Sequence, residues 1–260
     1  MGVSIVAIVI GLSVIVAAIS SSNLTGSEGA VLPTGAPSAP TATASASDRS
    51  IEPATSALGI ITPAARSPAN LEDGRAIGRP DAPATLTVWE DFQCPFCGEF
   101  TRKVEPRLFA DYVVPGKLRI VFRDWVFIGV ESVAAAVAAR CAGAQGQFWA
   151  YHDYLMWNQQ GENNGGFRTD RLEAMAEAVG LDLQAFDACT QDKTQIAAVR
   201  AETEAGNEAK IGMTPTLVMD DSVMPGAPTS EADYARLRVV IDASIAAHTP
   251  GQVGASLSSR

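Results

Sequence analysis

Two cysteines separated by two residues, Cys94 and Cys97, are the side chains in this sequence best placed to do chemistry. They follow a stretch rich in β-branched and aromatic residues, Thr85 to Phe92, that predicts a buried strand. A helical pattern continues from Gly98, and Pro95 suits the first helical position because that position needs no backbone N–H. Cys94 is therefore expected at a helix N-terminus, where unpaired N–H groups and the helix dipole favour a thiolate.

The spacing of the pair places both sulfur atoms on one face of a helix, so they could form a disulfide and exchange it with another protein. The alternative is half of a zinc site. Zinc would need two more ligands, whereas Cys141 and Cys189 lie far apart, and the histidines His152 and His248 show no ligand spacing. The sequence therefore favours a redox pair, with no metal and no cofactor expected.

Length and charge limit the class of protein. The chain has 260 residues and a formal net charge of −10, so it can form one or two domains with a proper core. Nucleic-acid binding depends mainly on basic residues that neutralise phosphates, and an acidic chain is a poor candidate for it. We therefore expect no nucleic-acid partner.

The N-terminal residues 1–20 predict a membrane segment. They contain an uncharged apolar run, Val3 to Ile19, which as a helix would span about 26 Å, just enough for the hydrocarbon core of a bilayer. Small residues at Ala18 and Ser20 leave a cleaved signal peptide open as the alternative. An uncleaved anchor is preferred, with the domain on the extracytoplasmic side; cleavage would make the protein secreted.

Residues 21–70 are dominated by Ser, Thr, Ala, Pro and Gly. This composition predicts a disordered linker, because it cannot bury enough apolar surface to offset its ordering entropy. A folded domain is expected over 71–249, followed by a flexible tail over 250–260.

The folded part begins as a strand–helix–strand unit, with a second strand from Leu118 to Phe127, and this order indicates a parallel pair. A helical block over about 130–192 follows. Its aromatic and imidazole side chains are interpreted as core rather than as a binding surface. These residues are Phe148, Trp149, Tyr151, His152, Tyr154 and Trp157.

Four stretches in order, "IGRPDAPATLTVWEDFQCPFC", "VFRDWVF", "ARCAGAQGQFWAYHDYL" and "IGMTPTLVMDD", make the chain resemble the DsbA-like branch of the thioredoxin superfamily. The resemblance implies an α/β thioredoxin fold with a helical insertion between the second strand and the cis-proline strand. It assigns Pro215 to the cis-proline that faces the active-site disulfide, and Thr214 to binding of the substrate backbone.

Cys141 and Cys189, both in the helical block, are either buried free thiols or a structural disulfide. A disulfide is preferred, since two free thiols beside an oxidising pair would be a hazard outside the cytoplasm. The resemblance supports this pairing, because some relatives cross-link their helical insertion with a disulfide at similar positions.

Two positions depart from the family pattern. The best-known strong oxidants carry histidine as the second residue between the cysteines, where this chain has Phe96. Thioredoxins place a buried acid six residues before the first cysteine, where this chain has Val88. Glu90 and Asp91 could substitute but are expected to be solvated.

The helix dipole alone would lower the pKa of Cys94 to about 7.

The resemblance implies an enzyme, a membrane-tethered oxidase that introduces disulfides into reduced exported proteins through Cys94 and Cys97. A membrane quinone-linked partner of the DsbB or vitamin K epoxide reductase type would reoxidise it. The alternatives are a disulfide isomerase or reductase of the same fold, and a non-catalytic copper-delivery module or holdase. A copper carrier would need a nearby histidine or methionine, and Met213, the candidate, is expected to pack in the core.

Overall fold

The computed structural model of the chain describes residues 57–65 and 71–249. The strands in these residues are β1 (Glu72–Asp73), β2 (Ala76–Ile77), β3 (Ala84–Glu90), β4 (Leu118–Asp124), β5 (Thr216–Met219) and β6 (Ser222–Pro225). The helices are α1 (Pro95–Lys103), α2 (Glu105–Leu108) with a π-helical turn (Phe109–Val113), α3 (Val130–Ala144), α4 (Phe148–Trp157), α5 (Thr169–Val179), α6 (Leu183–Thr190), α7 (Lys193–Glu208) and α8 (Glu231–His248).

The strands form one six-stranded sheet in the order β1-β2-β4-β3-β5-β6. β3 and β4 are parallel, with Ala84 opposite Leu118 and Glu90 opposite Asp124. β5 runs antiparallel to β3 on its other side. The helices α3 to α7 lie in sequence between β4 and β5. The predicted α/β thioredoxin fold with a helical insertion is confirmed.

The first helix after the cysteines is interrupted near a proline. α1 ends at Lys103, and Pro106 lies in the first turn of α2. Proline is tolerated in a first turn, whereas in a helix interior it removes a hydrogen bond and clashes with the turn before it. The chain therefore restarts as a new helix around Pro106.

The aromatic residues of α4 pack in the core. Phe148, Trp149 and Tyr151 are buried, and His152 is enclosed among them. The predicted core role is wrong only for Trp157, which is 38% exposed because α4 ends there.

A buried ion network ties the end of β4 to α7. Asp124 accepts a hydrogen bond from Arg140 Nε at 2.9 Å and also pairs with Arg75. Glu202 on α7 pairs with the same two arginines and with Arg123 at 2.8 Å. Because both carboxylates are almost fully buried, removing one cationic partner would leave a charge that water cannot solvate.

Residues 57–65 pack against the helical insertion, so the predicted disordered linker over 21–70 is wrong for this segment. Ile61 N donates to Asn158 Oδ1 at 2.7 Å, and Asn158 Nδ2 donates back to Ile61 O at 2.8 Å. Arg171 Nη1 donates to Leu58 O at 2.6 Å. Backbone groups make these contacts, and composition carries no signal for them.

The other terminal predictions fall outside the described residues. These are the membrane segment at 1–20, the rest of the linker and the tail at 250–260. Among residues 57–65 and 71–249, no helix combines the length and apolar character needed to cross a bilayer.

A disulfide joins Cys141 in α3 to Cys189 in α6, the pairing that the sequence analysis preferred. Among the described residues, Cys94 and Cys97 are the free thiols. The structural bridge therefore lies within the helical insertion and leaves the candidate redox pair separate.

Replacing Cys141 and Cys189 together by serine should lower the free energy of unfolding by about 4 kcal/mol, since the bridge constrains a loop with a sequence separation of 48. Guanidinium denaturation without reductant measures the difference. As the control, wild-type protein in excess reductant should fall to the stability of the double variant. Equal midpoints for oxidised wild type and variant would contradict the expectation.

Candidate active site

Cys94 is the N-cap of α1, where the sequence placed it. It caps the helix through its backbone, because its carbonyl accepts hydrogen bonds from Cys97 N at 3.1 Å and Gly98 N at 3.2 Å. Its side chain is 4% exposed. The sulfur is therefore mostly enclosed but still open to a reaction partner.

Asp91 shapes the turn that delivers Cys94 to the helix. Its Oδ1 accepts from Gln93 N at 2.9 Å, and its Oδ2 accepts from Phe127 N and Ile128 N at 3.0 and 3.2 Å. The expectation that Asp91 is solvated is wrong, since backbone N–H groups take the place of water around this carboxylate. The turn after β3 is thus fastened to the segment after β4.

Gln159, just after α4, holds the same turn from the helical side. Its Nε2 donates to Phe92 O at 2.8 Å and to Cys94 O at 2.9 Å. A Cβ at Gly98 would clash with the Gln159 amide, so the glycine after the pair permits this close approach. No sequence signal could have identified Gln159, because its role depends on how the inserted helices fold back.

The loop before β5 faces Cys94. The peptide bond between Thr214 and Pro215 is cis, and the Cys94 thiol donates to Thr214 O at 3.3 Å. Thus the structure places both residues that the family resemblance assigned to substrate binding at the candidate site. Met213 is 48% exposed, and the expectation that it packs in the core is wrong, since it lies in the loop ahead of β5.

The surroundings of Cys94 stabilise its thiolate. A hydrogen bond from the Cys97 thiol lowers the pKa of Cys94 to about 6, against the opposing effect of burial. The backbone N–H groups of Phe96 and Cys97 act in the same direction. These hydrogen bonds take the pKa below the value of about 7 that a helix dipole alone would give.

Cys97 has the opposite character. It is fully buried, and burial raises the pKa of its thiol well above the ordinary value; its hydrogen bond to Cys94 and the charge of Glu90 add to the rise. At neutral pH the pair is therefore a thiolate and a neutral thiol. Cys94 is the nucleophile and the good leaving group, and Cys97 holds the proton.

A buried acid lies behind the pair. Glu90, at the end of β3, is 1% exposed, and burial raises the pKa of its carboxyl to about 7, with His152 opposing the rise and Glu105 adding to it. The expectation that Glu90 is solvated is wrong. The signal was present in the alternation of β3, because Glu90 continues the inward-facing set of Leu86 and Val88.

Glu90, Glu105 and His152 bring potential ligand atoms within 4.8 Å of one another. The sequence analysis expected no metal, and His152 has no ligand spacing in the sequence. Carboxylate and imidazole groups can bind a divalent cation, but a cation would require Glu90 to be ionised. Since burial favours its neutral form, the cluster is better suited to holding a proton.

Comparisons with known proteins agree with this architecture. A protein-family model described as Thioredoxin matches residues 70–243. A Na(+)/H(+) antiporter NhaA 1 of Salinispora arenicola (strain CNS-205) is 31% identical over 157 residues, which are 60% of this chain but 23% of the antiporter. The chain thus spans about a quarter of the length of that relative.

Two further proteins match over most of their own length. A probable disulfide bond formation protein D of Bacillus anthracis is 24% identical over 172 residues, covering 65% of this chain and 76% of that protein. The structure of oxidised BdbD from Bacillus subtilis aligns with a TM-score of 0.60 and 22% identity, covering 66% of this chain and 93% of BdbD. The structural likeness supports the fold.

The alkylation rate of reduced protein by iodoacetamide should rise with pH through a midpoint near 6, because the Cys94 thiolate is the reactive species. Cys97→Ala should move this midpoint upward, since it removes the main hydrogen-bond donor. Cys97→Ser keeps a donor and is the matched control, with a smaller shift. A wild-type midpoint at the ordinary thiol value of about 8.5 would contradict the assignment.

Proposed function

Because this chain belongs to the thioredoxin family and is a DsbA-like thiol–disulfide oxidoreductase, we propose that it acts as an oxidase. Its clients are reduced proteins exported from the cytoplasm, and its reactive group is the Cys94–Cys97 pair. Disulfides are introduced into the client, and the pair is left as two thiols.

The observation that carries this direction is the unequal protonation of the pair. A pKa of about 6 for Cys94 stabilises the reduced enzyme and makes Cys94 a good leaving group. Stabilisation of the reduced form is what makes a dithiol–disulfide pair a strong oxidant. A reductase would instead need a more stable disulfide form.

The exchange proceeds in two steps. A client thiolate attacks Cys94 Sγ of the oxidised pair; the bond between Cys94 and Cys97 breaks, a client–Cys94 disulfide forms, and Cys97 leaves and takes a proton. A second client thiolate then attacks the client sulfur of this mixed disulfide, and Cys94 leaves as a thiolate. Two electrons have passed from the client to the pair.

We also propose where the domain acts and which partner reoxidises it. The disulfide between Cys141 and Cys189 suits an oxidising compartment outside the cytoplasm. We place the domain there, held by the apolar segment at 1–20, with a membrane quinone-linked reoxidant of the DsbB or vitamin K epoxide reductase type. The name of the Bacillus anthracis relative, a probable disulfide bond formation protein, supports the direction of the reaction.

Exposed apolar side chains around Cys94 suit unfolded clients. Phe96, inside the pair, is 60% exposed, and Met213 lies next to Thr214 in the loop that contacts Cys94. Phe127 is also exposed, and its backbone is bound to Asp91. Such a rim can contact apolar segments that a folded protein would bury.

Purified protein should oxidise a reduced, unfolded client, and Cys94→Ser should abolish this activity because no mixed disulfide can form. Cys97→Ser, incubated with a client that already holds a disulfide, should accumulate a mixed disulfide between Cys94 and the client, because the thiol that would release the client is absent; non-reducing electrophoresis detects it. A reduction potential of the pair nearer about −120 mV than about −270 mV would support the oxidase. A thioredoxin-like potential would overturn it in favour of a reductase.

Phe96→Ser combined with Met213→Ser should raise the KM for an unfolded client several-fold, while the rate with glutathione disulfide stays close to that of wild type. The reason is that the rim contacts the client and not the reacting sulfur. Val239→Ser, at an exposed apolar position on α8, is the matched control. Equal KM values for wild type, the double variant and Val239→Ser would show that the rim does not contribute to client binding.

A further inference from the structure

Residues 57–65, which we call the strap, contact the helical insertion close to the active site. The strap lies ahead of residues 70–243, the part of the chain that matches the family model. Two side chains of the insertion, Asn158 and Arg171, bind its backbone, and both are almost fully buried. The strap is thus an addition to the matched domain that is held by specific hydrogen bonds.

Asn158 is shared between the strap and α4. It is the C-terminal cap of α4, and its backbone N–H donates to Tyr154 O at 3.1 Å and to Leu155 O at 3.2 Å. Its side-chain Nδ2 donates to Tyr154 O and to Ile61 O, each at 2.8 Å, while Oδ1 accepts from Ile61 N at 2.7 Å. The strap therefore fixes the side chain of the residue that ends this helix.

Arg171 makes the second attachment. Its Nη1 donates to Leu58 O at 2.6 Å, and its Nε donates to Gly166 O at 3.0 Å. Arg171 is 2% exposed, so water cannot replace a carbonyl that it loses. Leaving a buried cation without an acceptor costs free energy, and this cost keeps the strap in place.

The residue after Asn158 holds the reactive turn. Gln159 Nε2 donates to Phe92 O at 2.8 Å and to Cys94 O at 2.9 Å. The Cys94 carbonyl also accepts from the backbone N–H groups of Cys97 and Gly98 in the first turn of α1. A backbone shift at Gln159 would therefore move both this carbonyl and the neighbouring Asn158, whose side chain the strap holds.

We propose that the strap is a positioning segment of the active site: it holds Asn158, which fixes Gln159, and Gln159 fixes the carbonyl of Cys94. This role concerns the placement of the sulfur atom and not the direction of the reaction, so it goes beyond the proposed function and does not depend on it. When the strap is released, the backbone N–H groups of α1 should point at the sulfur less often and stabilise its thiolate less.

One backbone N–H of the strap offers a test in the full-length reduced protein. Ile61→Pro removes the donor to Asn158 Oδ1, because proline has no N–H. Ile61 is 52% exposed, so the substitution removes little apolar packing. Ile61→Ala shortens the same side chain but keeps the N–H, and it is the matched control. Each protein is alkylated with iodoacetamide in detergent over a range of pH, and peptide mass spectrometry follows Cys94.

Ile61→Pro should raise the pH midpoint of Cys94 alkylation by about half a unit, which lowers the rate below the midpoint about threefold. Ile61→Ala should keep the wild-type midpoint. A strap that only stabilised the fold would change the melting temperature and leave this midpoint where it is. The pH profile therefore separates positioning from general stabilisation.

A double-mutant cycle tests whether the strap acts through Gln159. Gln159→Ala removes the amide that holds the Cys94 carbonyl, and it should raise the midpoint at least as much as Ile61→Pro does. Combining the two should add nothing to Gln159→Ala, whereas independent effects would add. If Ile61→Pro does not fold, Asn158→Leu takes its place in the cycle, because leucine has a similar size but neither donates nor accepts.

Three outcomes would overturn this role of the strap. The first is a wild-type midpoint in Ile61→Pro, or in Asn158→Leu where that variant replaces it. The second is an equal shift in Ile61→Ala, and the third is a double variant whose shift is the sum of the single shifts. Because no client takes part in alkylation, failure of client oxidation would overturn the proposed function without affecting this result.

Discussion

The hydrogen bond between the two thiols of the Cys94–Cys97 pair is the interaction on which the other features of the site depend. It makes the two sulfur atoms chemically unequal, because it stabilises a charge on Cys94 while Cys97 keeps its proton. The backbone N–H groups at the helix N-terminus and the burial of Cys97 both increase this difference. A symmetrical pair would have no defined point of attack.

The inserted helices are part of the site. Gln159 holds the backbone of the active-site turn, and His152 lies against Glu90 behind the pair. The disulfide between Cys141 and Cys189 and the ion network around Glu202 fix α3, α6 and α7 to each other and to β4. Precise placement of a few polar side chains therefore rests on the packing of a whole helical block.

The sequence identified what local rules control. Cys94 at a helix N-terminus follows from the strand before it and Pro95 after it. The burial of Glu90 could also have been read from the alternation of β3. By contrast, the role of Gln159 and the packing of residues 57–65 could not be predicted. Both depend on contacts between segments distant in the sequence, for which composition and periodicity have no signal.

The attachment of Leu58 and Ile61 to Arg171 and Asn158 has a mechanical consequence. A pulling force applied to the chain ahead of residue 57 would be carried by Arg171 and Asn158 before it reached any strand of the sheet. Asn158 immediately precedes Gln159, which holds the carbonyl of Cys94. The force would therefore act on the residue next to Gln159, and Gln159 holds the turn that carries Cys94. Pulling on the N-terminal side of the domain would load the backbone that positions the reactive sulfur.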